Sequence, residues 1–299
     1  MFLKRNGEWL EIMIPTDWAN QTVFHTLTTH LGVSKATIQK WNQVSAIIKN
    51  NERADVNHKV HEGDTLSLHL FKAEDYGVIP EKRTLSILYE DEHLLILDKP
   101  YGIDTHPNQE NQKGTLANIV AYHFQSSGQH TRVRHIHRLD KDTSGAIIFA
   151  KHDLAHSLLD QSLQARKIKR TYLALIEGEI VPPQGKINKA IGRDRHHATR
   201  RRVSPKGQNA ITHYSVVEYN TKTNLSTVSL QLETGRTHQI RVHLSSIGHP
   251  LAGDLLYGGK KKIIKRQALH SARISFIHPI SHEQITVEAP LPEDMATIM

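Results

Sequence analysis

His137-Arg138-Leu139-Asp140-Lys141-Asp142-Thr143-Ser144-Gly145 runs directly into the apolar stretch Ala146-Ile147-Ile148-Phe149-Ala150. The second half reads as a buried strand, and the first packs an imidazole, a guanidinium and two carboxylates into a turn at its edge. Polar groups on a loop seated on a rigid strand are a common construction for an active site, because the sheet holds what the loop presents. A structural ion pair between Arg138 and Asp140 accounts for the same residues equally well, so the rest of the chain must decide.

Outward from this segment, strands dominate. They are expected at Leu85 to Tyr89, His93 to Asp98, Ala146 to Ala150, Thr171 to Ile176, Ala210 to Tyr219 and Ser226 to Leu232. Glu90-Asp91-Glu92 and Asn220 to Asn224 look like hairpin connections, which predicts a largely antiparallel sheet. Apolar residues at helical spacing predict helices over Thr115 to Phe124, Asp153 to Ala165 and Thr237 to Ile247. The pattern is α+β: a mixed, mainly antiparallel sheet with flanking helices and a central cleft.

Residues 1–73 read as a small α+β module of their own. Phe24, Leu27 and Leu31 give a helix ending at Gly32, Ser34 caps a second helix carrying Ile38 and Trp41, and Thr65 to Leu70 forms a closing strand. A linker over 74–83, containing Gly77 and Pro80, then leads to the main domain at 84–299.

The charge is uneven. Of a net +8, residues 1–73 hold 8 Lys/Arg against 7 Asp/Glu, leaving 30 against 23 for the remainder. Positive residues cluster at Arg166 to Arg170, Arg193 to Arg202 and Lys260 to Arg266, a footprint suited to a phosphate backbone and therefore to RNA or DNA. The absence of cysteine excludes disulfides, thiolate catalysis and cysteine-ligated zinc. No apolar run approaches the ~18 residues of a membrane span, and Met1 to Asn6 lacks a signal-peptide core, so a cytoplasmic protein is expected. There is no Gly-rich phosphate loop, and no nucleotide cofactor is indicated.

Four segments carry polar groups that the elements themselves do not require. They are Lys99-Pro100-Tyr101-Gly102 with Thr105-His106-Pro107, the turn around Asp140, Lys169-Arg170-Thr171-Tyr172, and Thr234-Gly235-Arg236-Thr237-His238-Gln239-Ile240-Arg241-Val242-His243. Arg236, read at a helix N-terminus where the macrodipole disfavours a cation, calls for a nearby anion, and Asp140 would serve.

Together with Gly248-His249-Pro250-Leu251-Ala252-Gly253-Asp254 and Leu269-His270-Ser271-Ala272, these segments resemble the RluA/RluD-type pseudouridine synthases, in order from about Thr84 to Ala289. The resemblance implies the pseudouridine synthase fold and an RNA isomerase that breaks the N1-glycosidic bond of uridine, turns the uracil and rejoins it through C5. It implies no metal and no cofactor. Asp140 maps onto the catalytic aspartate, which attacks either ribose C1′ or uracil C6, Arg236 onto its arginine partner, and Tyr172 onto the tyrosine that stacks on the target base and assists proton removal. Arg138, Leu269, His106 and Arg170 are expected to bind substrate. Residues 1–73 are similar to the αL RNA-binding module shared with a ribosomal protein, although the usual basic helix surface is thin. Ribosomal RNA is favoured over transfer RNA as the partner, and a monomer is expected.

Two other readings compete. A catalytically silent RNA-binding assembly factor would not need Asp140, Tyr172 and Arg236 together. A metal-dependent hydrolase is suggested by His135 and His137 beside Asp140, but no further ligands of suitable spacing accompany them.

Overall fold

The structure, a computed structural model, describes residues 2–299, and in it the strand read at 146–150 runs from Ser144 to Ala150 with every residue buried. The first module is built on a five-stranded sheet of β1 (Phe2–Asn6), β2 (Trp9–Met13), β3 (Ile47–Lys49), β4 (Glu52–Arg53) and β5 (Thr65–His69), in the order β1-β2-β5-β3-β4. Two helices, α1 (Val23–Thr29) and α2 (Lys35–Gln43), cover it. Ser34 caps α2 as expected, its hydroxyl accepting from the Thr37 amide. The expected closing strand is β5, but the other four strands were not foreseen. Gly7 supplies the positive φ that the two-residue turn between β1 and β2 requires.

The remaining strands are β6 (Ser86–Glu90), β7 (Leu94–Lys99), β8 (Arg134–His135), β9 (Ser144–Ala150), β10 (Lys169–Glu177), β11 (Gln184–Asn188), β12 (Ile191–Arg193), β13 (Arg201–Val203), β14 (Ile211–Asn220), β15 (Leu225–Leu232), β16 (Leu269–Ile277) and β17 (Gln284–Glu288). Ten of these form one sheet, β11-β14-β15-β10-β16-β9-β7-β6, with β17 added to β16 and β8 to β9. All its pairings are antiparallel except β16 with β9. The β12–β13 hairpin stands apart and brackets the basic cluster at 193–202. Residues 70–85 carry no helix or strand.

Helices α3 (Leu116–Ser126), α4 (Asp153–Gln164), α5 (Gln239–Ser245) and α6 (Glu293–Ala296) flank the sheet. Along β9, Ile147 and Phe149 enter the core that holds α3 and α5, while Ala146, Ile148 and Ala150 enter the one that holds α4. Both faces of the strand are covered, which is why its sequence is continuously apolar instead of alternating. Gly145, at φ +107, has no Cβ to strike the Ser271 backbone, and this lets β16 lie beside β9 and carries Leu269 to the edge of the Asp140 turn. No helix of the described residues is long and apolar enough to cross a membrane.

The small module packs on α4 and on the β16–β17 turn, since Leu154 and Ile280 lie in its core cluster. Phe71 meets the edge of His152, whose Nε2 is 2.9 Å from Nδ1 of His93, and Arg5 lies over the Phe71 ring. Burial pulls His93 down to about 4 against the opposing pull of Asp91, does the same to His135, and holds His152 and His137 well below their ordinary value. Burial also pushes Asp98 up to about 6, which acts in the opposite sense.

The unfolded chain, with histidines titrating near ~6.5, takes up protons between pH 6.5 and 4 that these four folded histidines refuse. Four groups outweigh Asp98, so stability falls as pH drops through that window. Urea midpoints should therefore be lower at pH 4.5 than at pH 7, and an unchanged or higher midpoint at pH 4.5 contradicts the neutral-histidine assignment.

Candidate active site

A cleft of about 730 Å3 opens where the turn before β9, the start of β10, the end of β15 and α5 converge, and Asp140 lines it. The turn that carries Asp140 is fixed from several sides. Its own amide closes it, Thr143 N donating to Asp140 O at 3.0 Å. Thr105 Oγ1 donates to the Leu139 carbonyl at 2.9 Å and accepts from the Leu139 amide. Lys99, fully buried at the end of β7, donates to the carbonyls of Pro100, Ile103 and Lys141 at 2.9, 2.8 and 3.0 Å. Burial pulls Lys99 down to about 8, although Asp140, Asp142 and Asp104 act to raise it. Arg266 Nη1 donates to the Asp142 carbonyl, and Gln267 Nε2 to Thr143 Oγ1.

The cation on Asp140 is Arg241, whose Nη1 donates to Asp140 Oδ2 at 3.0 Å. Arg241 is 7% exposed and is also gripped in two-pronged fashion by Asp254, Nε to Oδ2 at 2.7 Å and Nη2 to Oδ1 at 2.9 Å. Burial works against its charge, but the hydrogen bonds it donates to Asp254 and the charge of Asp140 outweigh that and push the guanidinium further up. The Tyr257 ring lies under it at 4.9 Å. The Tyr257 hydroxyl accepts from Arg201 N and lies 2.8 Å from His238 Nδ1. If that hydroxyl donates to Nδ1, His238 carries its hydrogen on Nε2, which faces Asp140 Oδ2 at 3.8 Å. Burial holds His238 below its ordinary value despite Asp140, which favours the neutral ring.

Arg236, expected to be the partner of Asp140, is not. The helix begins at Gln239, two residues later than predicted, because His238 adopts a left-handed conformation, φ 56. Arg236 therefore precedes the helix, sits exposed on the cleft rim, and donates through Nε to the Asn209 carbonyl at 3.2 Å. The macrodipole argument for its anion partner falls with the helix start.

The other expected residues do gather in the cleft. Tyr172 (4% exposed), Leu269 (5%) and Arg170 (7%) line its interior. Burial pushes the Tyr172 phenol up, which favours its neutral form and suits stacking better than proton abstraction. Arg138 is exposed and donates to Thr237 Oγ1 at 3.1 Å. His106 lies 4.7 Å from His135, ring over ring, with 10° between the planes. His137, read as turn scaffolding, is buried in the cleft wall with both ring nitrogens unpartnered. No group of three histidine or acidic side chains is gathered as for a metal ion among the described residues.

Arg241, Asp254, His238, Tyr257 and Lys99 were given no role from sequence. For Arg241 a signal was present: Ile240, Val242 and Leu244 cannot share one face of a helix. Val242 stands opposite Ile240 and Leu244, so apolar residues on both sides point to a buried helix, and an arginine inside it needs a carboxylate.

The family model described as RNA pseudouridylate synthase matches residues 93–246, and that of the RluD ribosomal pseudouridine synthase N-terminal domain matches residues 10–66. The chain is 52% identical over 296 residues to the uncharacterized RNA pseudouridine synthase YhcT of Bacillus subtilis, covering 99% of this chain and 98% of that one. It is 38% identical to the ribosomal large subunit pseudouridine synthase D of Nitrosomonas europaea, over 99% of this chain and 88% of that one. Among solved structures, human RNA pseudouridylate synthase domain containing 1 superposes with a TM-score of 0.58 at 29% identity, covering 71% of this chain and 85% of the human one.

Removing Arg241 leaves Asp254, with its side chain only 2% exposed, without its partner. Arg241→Ala should cost about 3–5 kcal/mol of stability, whereas Arg236→Ala at the rim should stay within about 0.5 kcal/mol of the parent. Urea denaturation of the two variants checks the ranking, and equal losses would contradict it.

Proposed function

The chain belongs to the RNA pseudouridylate synthase family and is an RNA isomerase, and on that premise we propose that it converts uridines of ribosomal RNA to pseudouridine with Asp140 as the catalytic carboxylate. The observation that supports this most directly is the hydrogen bond from Arg241 to Asp140 inside a cleft that also holds Tyr172 and Leu269. The carboxylate is held by its turn and by one guanidinium, with its second oxygen left for the substrate. Such preorganisation is what a nucleophilic carboxylate requires.

A uridine in folded RNA must leave its stack to reach Asp140, at a cost of a few kcal/mol. The Tyr172 ring and the Leu269 side chain offer the flipped base an apolar enclosure, and Arg138 on the rim is placed to fill the gap left behind. His106 completes the substrate-binding set, and Arg170 lines the cleft wall that the flipped base faces. The isomerisation breaks C1′–N1, joins C1′ to C5, releases the C5 proton and returns one to N1. The overall change therefore requires no redox partner.

Large-subunit ribosomal RNA is the proposed partner because the Nitrosomonas relative is named for it. Residues 1–73 are proposed as an orienting module for that RNA, joined by the segment 74–83 to a catalytic domain over 84–299. The protein is proposed to act in the cytoplasm as a monomer.

Tritium release from C5-labelled large-subunit ribosomal RNA transcripts tests the reading, with transfer RNA transcripts as a second arm. Release is expected from the parent protein on ribosomal RNA and none from Asp140→Asn; release that survives the substitution refutes Asp140 as the catalyst. RNA affinity should fall steeply with salt, but less steeply than the raw number of basic residues suggests. Arg166, Arg200 and Arg266 already pair with Glu233, Asp194 and Asp294. A flat salt response would rule out the basic clusters as the RNA surface.

A further inference from the structure

Four arginines are buried: Arg134, Arg170, Arg241 and Arg266. Three have carboxylate partners, Arg134 with Glu74 and Asp153, Arg241 with Asp254 and Asp140, and Arg266 with Asp294. Arg170 pairs with none among the described residues, and its Nε is buried without a hydrogen-bond partner. Beside it His137 is in the same condition at both ring nitrogens, and an imidazole, neutral or protonated, offers a guanidinium no countercharge. Both side chains line the catalytic cleft.

A buried guanidinium with no anion is expensive, and a fold retains one where an anion arrives during function. A backbone phosphate is the obvious candidate, but it is a poor fit. The rim cations Arg138, Arg166 and Arg236 are exposed and lie where the RNA backbone would run, whereas Arg170 is 7% exposed on the cleft wall. The part of the substrate that descends to this depth is the base.

We infer that Arg170 is a catalytic residue whose unpaired guanidinium, with the His137 ring beside it, receives the negative charge of the uracil after its bond to the ribose is broken. The inference rests on the reading of this chain as a uridine isomerase. When Asp140 attacks C1′, the bond from its oxygen to C1′ forms as C1′–N1 breaks, and the electron pair of the broken bond stays on the ring. The carboxylate becomes a neutral ester and the uracil becomes an anion shared over N1, O2 and O4. Attack at C6 leaves the C1′–N1 pair on the ring as well. When C5 then bonds to C1′ the ester opens, the carboxylate returns, C5 loses its proton and N1 gains one. Uracil in the ground state is neutral, so a cation at this position binds the separated base more strongly than the substrate, and differential binding of that kind lowers a barrier.

Single-turnover conversion of ribosomal RNA transcripts, followed by chromatography of the digested RNA, tests this. Arg170→Gln should slow conversion about 100- to 1000-fold, the loss typical of removing one preorganised charge stabiliser. RNA affinity should stay within about twofold, and Arg170→Lys should recover most of the rate. Transcripts carrying 5-fluorouridine, whose ring anion is more stable and whose C5 has no proton to lose, are followed by disappearance of the starting nucleoside, which reads the steps up to the C5–C1′ bond; they should lose less rate in Arg170→Gln than uridine transcripts followed in the same way.

Weakened affinity with an unchanged rate would assign Arg170 to a phosphate and overturn the inference. Equal losses for the two bases would make its role structural and overturn it too. Should Arg170→Gln fail to fold, Gly235→Ala serves: its methyl would lie 3.3 Å from Arg170 Nη1 and crowd the guanidinium without removing its charge. An undiminished rate in that variant, or a loss equal for both bases, likewise overturns the inference. A parent protein that converts uridine while these variants behave as the parent defeats this inference alone; a parent protein with no conversion defeats the functional reading and this inference with it.

Discussion

The site depends on one guanidinium. Arg241 reaches Asp140 from 101 positions away in sequence and Asp254 from 13, and joins α5, the turn before β9 and the segment after α5 in a single buried contact. Its geometry is set by Asp254, which accepts both Nε and Nη2 and leaves Nη1 directed at Asp140. The sharing has a chemical consequence. In the proposed reaction, where Asp140 would surrender its charge to a covalent bond, Arg241 would still face Asp254, so no buried cation would be orphaned in mid-reaction. A pair of one arginine and one aspartate would not have that property.

Much of this was legible in the sequence, and what was missed has physical reasons. The continuous apolar run at 146–150 identified the central strand because β9 is covered on both faces. The order of polar segments identified the family, since loops at strand ends carry the chemistry. The N-terminal strands were overlooked although Asn6-Gly7 precedes Trp9-Leu10-Glu11-Ile12, a turn followed by an alternating strand with Leu10 and Ile12 buried. β16 was overlooked because its parallel pairing with β9 is non-local and rests on the missing Cβ of Gly145, which no periodicity reports.

The exchange of Arg236 for Arg241 is the more instructive miss. Both arginines stand in one short segment, and the difference between rim and interior comes from a single backbone conformation, the left-handed His238. A non-glycine residue is held in that region only when its surroundings determine it. Here the Tyr257 hydroxyl on Nδ1 and the Gln239 side chain, which accepts from Thr234 Oγ1 and the Arg236 amide, provide the constraint. Sequence shows which residues are available, but the turn that sorts them is a tertiary effect.

The buried cations of the cleft then fall into distinct states. Lys99 is saturated by three carbonyls and Arg241 by two carboxylates, so both are locked and act by holding the Asp140 turn and its side chain. Arg170 is held by its strand instead. β10 is paired with β16 from Lys169 and with β15 from Thr171, so the sheet fixes the backbone at Arg170 without help from the guanidinium. Such an arrangement tolerates an unsatisfied charge because the cost is borne by a sheet with two covered faces and not by a mobile loop. A strand paired in this way can keep a cation waiting that a mobile loop could not.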